Sequence, residues 1–165
     1  MNTFFEKITS AEQIEQLAAL ASTIWNEHFP PIIGQAQVDY MLDRFQSVPA
    51  ITGQLRDGGY EYYFIVSDGS SVGYVGIRPD DGFLFLSKIY ILREYRGRGL
   101  AKEAFRFLEK HCAERNLSFI RLTVNRENEG SIHAYEKMGF SIVSTLVADI
   151  GGGFVMDDYV MEKKV

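Results

Sequence analysis

The run Arg96-Gly97-Arg98-Gly99-Leu100-Ala101-Lys102 has the residue types and spacing to hold a phosphate. Two glycines just before a helix let the backbone turn tightly and leave the first amide N–H groups of that helix without partners. The helix dipole adds partial positive charge at the same point, and Arg98 and Lys102 add full charges, so the turn attracts phosphate oxygens. The pattern predicts a pyrophosphate cradle. The same glycines would also serve a plain strand-to-helix loop, because so short a motif is weak alone. Two nucleotide-binding fingerprints are excluded by direct reading. A dinucleotide fingerprint needs glycine where Lys102 stands, and no Gly-Lys-Ser/Thr ending of a P-loop occurs in the chain.

A cradle of this kind needs a strand before it and a helix after it. Residues 83–92 supply the apolar strand, and residues 98–115 supply a helix with Leu100, Ala104, Phe105, Leu108 and Cys112 on one side. Strands at 60–67 and 71–78 precede them, joined by tight turns at Ser67-Asp68-Gly69-Ser70 and Pro79-Asp80-Asp81-Gly82. Strand 119–125, helix 129–138, strand 140–148, a Gly151-Gly152-Gly153 turn and strand 154–163 follow. Ahead of all these, strand 3–8 leads into a helix capped by Thr9 or Ser10, running to about His28 and ended by Pro30 and Pro31. A helix over Gly34 to Gln46 and a short one over 49–57 complete the first third. The expectation is one α/β domain over residues 1–165, with a mixed, largely antiparallel sheet of about seven strands flanked by helices on both faces.

A second block lies downstream of the cradle. Leu122-Thr123-Val124-Asn125 reads as strand, and Asn128 to Phe140 reads as helix, glycine stop and strand, with Ser131-Ile132-His133-Ala134-Tyr135 inside the helix. Arg96-x-x-Gly-x-Ala followed in order by Asn128, the Ser-Ile-x-x-Tyr run and Gly139-Phe140 resembles the GCN5-related N-acetyltransferase (GNAT) family over residues 72–163. The resemblance implies an acetyl-CoA-dependent enzyme with a cofactor-binding core at about 72–163 and acceptor-side helices at about 10–57. It implies that Ile89, Tyr90 and Ile91 lie along the pantetheine arm, and that Gly97, Arg98, Gly99, Leu100, Ala101 and Lys102 wrap the pyrophosphate. Arg96, the signature's first residue, either joins them or packs at the turn. The amide of Ile91 would meet the developing oxyanion, at a point where the fourth and fifth strands of this family splay apart. Asn128 would bond the cofactor arm, or simply cap its helix. Tyr135 would be the acid that protonates the leaving thiolate, against the alternative of a core aromatic.

Acyl transfer to an amine also needs the amine's proton removed. An alkylammonium of pKa about 10.4 lies roughly 4.6 kcal/mol from its neutral form at pH 7. The glutamate that some relatives carry on the fifth strand is Thr123 here, and the family's other acidic position falls on Ser87 and Lys88. A water chain, or Glu27 and His28, are the substitutes on offer, and the base stays open. The acceptor pocket in this family lies between the first helices and the last hairpin. That places Glu27, His28 and Tyr40 on one wall and Asp157 and Asp158 on another, unless the two aspartates form an exposed edge. Acids among aromatics suit a polyamine or another small cationic amine, and the layout is loosely similar to bacterial polyamine acetyltransferases. The expected function is acetyl transfer from acetyl-CoA to a primary amine by direct attack in a ternary complex. Its alternatives are a non-catalytic acyl-CoA sensor and a protein or peptide N-acetyltransferase.

Composition agrees with an enzyme of this size. The 165 residues are 46% hydrophobic and 13% aromatic, enough for one core-forming domain. A net charge of -5 argues against nucleic acid as a partner. The lone Cys112 excludes an internal disulfide, and His28, His111 and His133 show no metal-ligand spacing, so no metal is expected. No apolar run suits a membrane span and no signal-peptide pattern opens the chain, so the expected location is cytoplasmic. The resemblance admits a homodimer without specifying its surface.

Overall fold

The computed structural model describes residues 2–165. Seven strands form one sheet in the order β1-β2-β3-β4-β5-β7-β6. They are β1 (Thr3–Lys7), β2 (Glu61–Ser67), β3 (Ser70–Pro79), β4 (Phe83–Ile91), β5 (Phe119–Asn125), β6 (Ser141–Gly151) and β7 (Phe154–Lys164). Every neighbouring pair is antiparallel except β4 with β5. That parallel pair needs a crossover, and α5 (Leu100–Arg115) supplies it. The architecture is the mixed, mostly antiparallel sheet that the residue pattern predicted.

Two cores lie on opposite faces of the sheet. On one face α1 (Ala11–His28), α2 (Pro30–Ile33), α3 (Gln35–Phe45) and α4 (Val48–Arg56) pack around buried Trp25, Leu17, Ile51, Tyr62, Phe64 and Tyr74. On the other, α5 and α6 (Glu129–Lys137) cover Ile65, Val75, Leu84, Leu86, Ile120 and Leu122. Strand β2 alternates between the two, Tyr62 and Phe64 toward the first and Tyr63 and Ile65 toward the second, so its residues read as an unbroken apolar run.

Local chemistry accounts for the boundaries. The Ser10 hydroxyl accepts the Gln13 N–H at 3.2 Å while the Gln13 side chain accepts the Ser10 N–H at 3.0 Å, a reciprocal cap that starts α1. Pro30 and Pro31 do more than end α1, as the sequence suggested. They open α2, because a proline costs nothing in a first turn whose N–H groups are unpaired anyway. A 3-10 turn at Arg93–Tyr95 fills the link after β4, and β6 runs to Gly151, beyond the expected residue 148.

Candidate active site

Parallel pairing between β4 and β5 runs only from Phe83 opposite Phe119 to Leu86 opposite Leu122. Beyond it, Ser87 is an extra residue in the register with β3, which matches Gly76 to Lys88 and then Ile77 to Leu86. A bulge of this kind bends its strand and ends regular pairing. The rest of β4, Lys88–Ile91, therefore separates from Thr123–Asn125, and the β5-side edge of β4 is left without a strand. This is the splay that the resemblance implied. A cleft of about 620 Å³ occupies the gap and is lined by β4, β5, α1, α6 and β7.

At one end of the cleft stands the glycine turn. Gly97 has φ 76° and Gly99 φ 79°, the left-handed region that a side chain disfavours. Glu103 N–H, bonded to the Gly99 carbonyl at 3.2 Å, is the first amide of α5 to find a backbone acceptor. Among the described residues, the amides from Gly97 to Lys102 donate to nothing in the chain, and Gly97, Arg98, Gly99 and Lys102 face solvent. Leu100 points its side chain into the core while its amide stays in the turn, and Ala101 lines the cleft. Arg98 lies over the Tyr95 ring at 5.0 Å and donates to the Glu94 carbonyl at 3.2 Å. Arg96 reaches back from the turn, its Nε donating to the Ile91 carbonyl at 3.0 Å, and also borders the cleft.

Across the gap, Asn128 sits at the head of α6, buried, with no side-chain bond into the helix. It does not act as a side-chain cap; its side chain lines the cleft beside His28, whose imidazolium it favours. Tyr135 follows two turns later, packed edge-on against Phe105 at 6.2 Å, with its hydroxyl making no hydrogen bond among the described residues. Burial pushes the phenol up to about 12. Ile89, Tyr90 and Ile91 lie along the free edge of β4, with Ile89 toward the α5 face and Tyr90 among Trp25, Phe29 and Tyr74 on the opposite face.

The expected acceptor residues divide. Asp158 enters the cleft at only 3% exposure and makes no side-chain hydrogen bond. Burial pushes its carboxyl up to about 6, Asp157 adds to that, and Lys88 opposes it. Asp157, its neighbour on β7, points to the other face and pairs with Arg126 at 2.6 Å, because successive strand residues alternate sides. His28 lines the cleft, lowered from its usual range first by burial and then by the charge of Arg96. Glu27 turns away: its carboxylate accepts the Arg93 N–H at 3.2 Å and its carbonyl accepts the Arg93 guanidinium. Tyr40 lies outside the cleft and donates to the Ile150 carbonyl at 2.7 Å, packed so closely under the last hairpin that a Cβ at Gly152 would stand 2.7 Å from its ring.

Lys88 was not among the expected site residues. Its stem lies in the cleft, its Nζ 2.9 Å from the Ser87 hydroxyl, and burial lowers it to about 8 while Asp158 opposes the fall. A lysine in the middle of the apolar run Phe83–Ile91 was the available signal. Among the described residues no cluster of metal-ligating side chains forms, and no helix is long and apolar enough to cross a membrane.

Comparison with known proteins agrees with this geometry. An uncharacterized N-acetyltransferase of Mycobacterium bovis is 29% identical over 152 residues, covering 92% of this chain and 97% of its own. A spermidine N(1)-acetyltransferase of Escherichia coli K12 is 39% identical over 61 residues, which is 36% of this chain and 33% of that protein. The crystal structure of the PaiA N-acetyltransferase from Thermoplasma acidophilum, in complex with coenzyme A, superposes with a TM-score of 0.81 at 21% identity, covering 100% of both chains. Residues 17–140 match the Acetyltransferase (GNAT) family. That match spans well over half of the sequence and includes both the glycine turn and Tyr135, so this chain belongs to the GNAT acetyltransferase family.

Proposed function

We propose that the chain transfers the acetyl group of acetyl-CoA to a primary amine on a small cationic acceptor, by direct attack in a ternary complex. The observation that carries this reading is the run of unpaired amides, Gly97 to Lys102, beside a gap between β4 and β5. Amides of this kind would cradle the diphosphate of coenzyme A. The free edge of Ile89–Ile91 would pair with the pantetheine as a further strand would, with Asn128 facing it across the gap. The thioester would then lie between the Ile91 amide, which would receive the oxyanion, and the Tyr135 hydroxyl.

Tyr135 keeps its proton throughout the neutral range, so its role is donor. A thiolate leaving coenzyme A beside Tyr135 would be raised by the same partial desolvation, which would keep the two groups matched. The amine side follows similar logic. Burial lowers the ammonium of Lys88 to about 8, and an acceptor ammonium entering that space meets the same penalty. Asp158 would hold the ammonium and take its proton, while Trp25, Phe29 and Tyr90 supply aromatic walls. A buried carboxylate with aromatics favours a polyamine or another small cationic amine. The partial likeness to a spermidine acetyltransferase supports the same class.

Purified protein given acetyl-CoA and a panel of di- and polyamines is expected to release free thiol with at least one of them. Binding of coenzyme A without thiol release from any amine would sink the proposal. Tyr135→Phe separates catalysis from mere acyl-CoA sensing. Turnover should fall about 10²-fold or more with coenzyme A affinity kept within about twofold, whereas a sensor has no turnover to lose.

A further inference from the structure

Behind the aromatic wall of the cleft, a row of hydrogen bonds runs through the core under α1 to α4. Trp25 donates its indole N–H to the Tyr74 hydroxyl at 3.0 Å, and Tyr74 donates to Gln46 Oε1 at 2.8 Å. Gln46 Nε2 donates to the Phe45 carbonyl at 2.7 Å and to the Tyr62 hydroxyl at 3.1 Å, and Tyr62 donates to Gln54 Oε1 at 2.5 Å. The row ties together α1, β3, the link from α3 to α4, β2 and α4. Gln46 stands at its centre, 2% exposed and set back from the cleft lining.

The chemistry of its ends gives the row a single direction. An indole N–H donates and never accepts, and a backbone carbonyl accepts and never donates. With Trp25 at one end, Tyr74 must accept from the indole and pass its own proton to an acceptor. With the Phe45 carbonyl on its other side, Gln46 must turn nitrogen to that carbonyl and oxygen to Tyr74. A buried glutamine is costly unless it is well bonded, and an apolar residue of similar size would fill the space without partners. Polar groups that are satisfied in such a place hold the side chains around them in one arrangement.

The arrangement held here is that of Trp25. Its ring lies 4.9 Å from Phe29 and 5.6 Å from Tyr90, and all three line the cleft. Deprived of Tyr74, its N–H would be stranded in the core, and the cleft is the open side to which the ring would turn. We infer that Gln46 is a positioning residue for the acceptor: through Tyr74 it sets the angle at which the Trp25 ring meets the acceptor's cation. The inference rests on the proposed amine acetylation and adds to it a side chain that touches neither substrate.

The test compares Tyr74→Phe, which removes the acceptor of the indole N–H, with Gln46→Met, which keeps the volume and removes the amide. Each should raise KM for the amine about fivefold or more while KM for acetyl-CoA stays within about twofold of wild type. The double variant should be no worse than Tyr74→Phe alone, because both changes act on one bond. The chain has a single tryptophan, so its emission reports this ring alone and should move to longer wavelength in each variant. Ile51→Val trims the same core without breaking a hydrogen bond, and should lower the Tm while leaving amine KM and emission as in wild type. An amine KM unchanged by Gln46→Met, or raised as much by Ile51→Val, overturns the inference and leaves the row as core structure. A wild type that turns over no amine fells the proposed reaction and the inference together, whereas amine turnover with variants of unchanged KM fells the inference alone.

Discussion

Asp158 is a carboxylate that is costly to the fold and that, in the proposed reaction, would serve the chemistry. It keeps its proton to about pH 6 against an ordinary 3.8, chiefly because it is buried. The folded chain thus binds that proton more tightly than the unfolded chain. The resulting stability is complete below about pH 3.8 and drains away as the pH rises through 6. Asp158→Asn is expected to stabilise the protein at pH 7.5 by about 1–3 kcal/mol, with the gain vanishing at pH 4, as thermal melts at the two values would record. The same substitution should lower kcat/KM for the amine by about 10²-fold and remove the rise in rate centred near pH 6. A melt gain without a rate loss would leave Asp158 as buried strain and return the amine's proton to His28 or solvent.

At the scale of elements, Glu61 is the opposite case. It stands at the head of β2 and accepts two bonds from Arg115, the last residue of α5, at 2.7 and 3.2 Å, and one from the Tyr63 hydroxyl at 2.9 Å. Burial works to raise its carboxyl, but the bonds from Arg115 and Tyr63 and the charges of Arg115 and Lys7 prevail and hold it near 2. Its stability contribution is present above about 4.5 and is lost as the pH falls toward 2. Glu61→Gln should cost about 2 kcal/mol at pH 7, and denaturant melts of the two proteins should converge between pH 4.5 and 2. The helix and strand that this pair joins were both legible from apolar periodicity. The bond between them was not, because Glu61 and Arg115 are separated by 54 positions and no local rule connects them. The prolines at 30 and 31 were read only as a stop, since a proline marks a first turn as readily as an end and sequence alone does not choose.

For the molecule as a whole, the glycine turn and the Asn128–Tyr135 block could be recognised because they are contiguous and their chemistry is local. The acceptor side could not be resolved that way. Asp157 and Asp158 look alike in sequence, and only strand alternation sends one into the cleft and the other to Arg126. Lys88 was passed over because its relation to Asp158 spans three strands of the sheet. The two cores also have a consequence for how such a protein changes over time. The turn that would grip the donor is built by the half behind one sheet face, and most of the walls that would select the acceptor are built by α1 to α4 behind the other. Mutations can accumulate in the second half while the first keeps its packing, so a lineage can exchange one recipient molecule for another without rebuilding its grip on the activated acyl carrier.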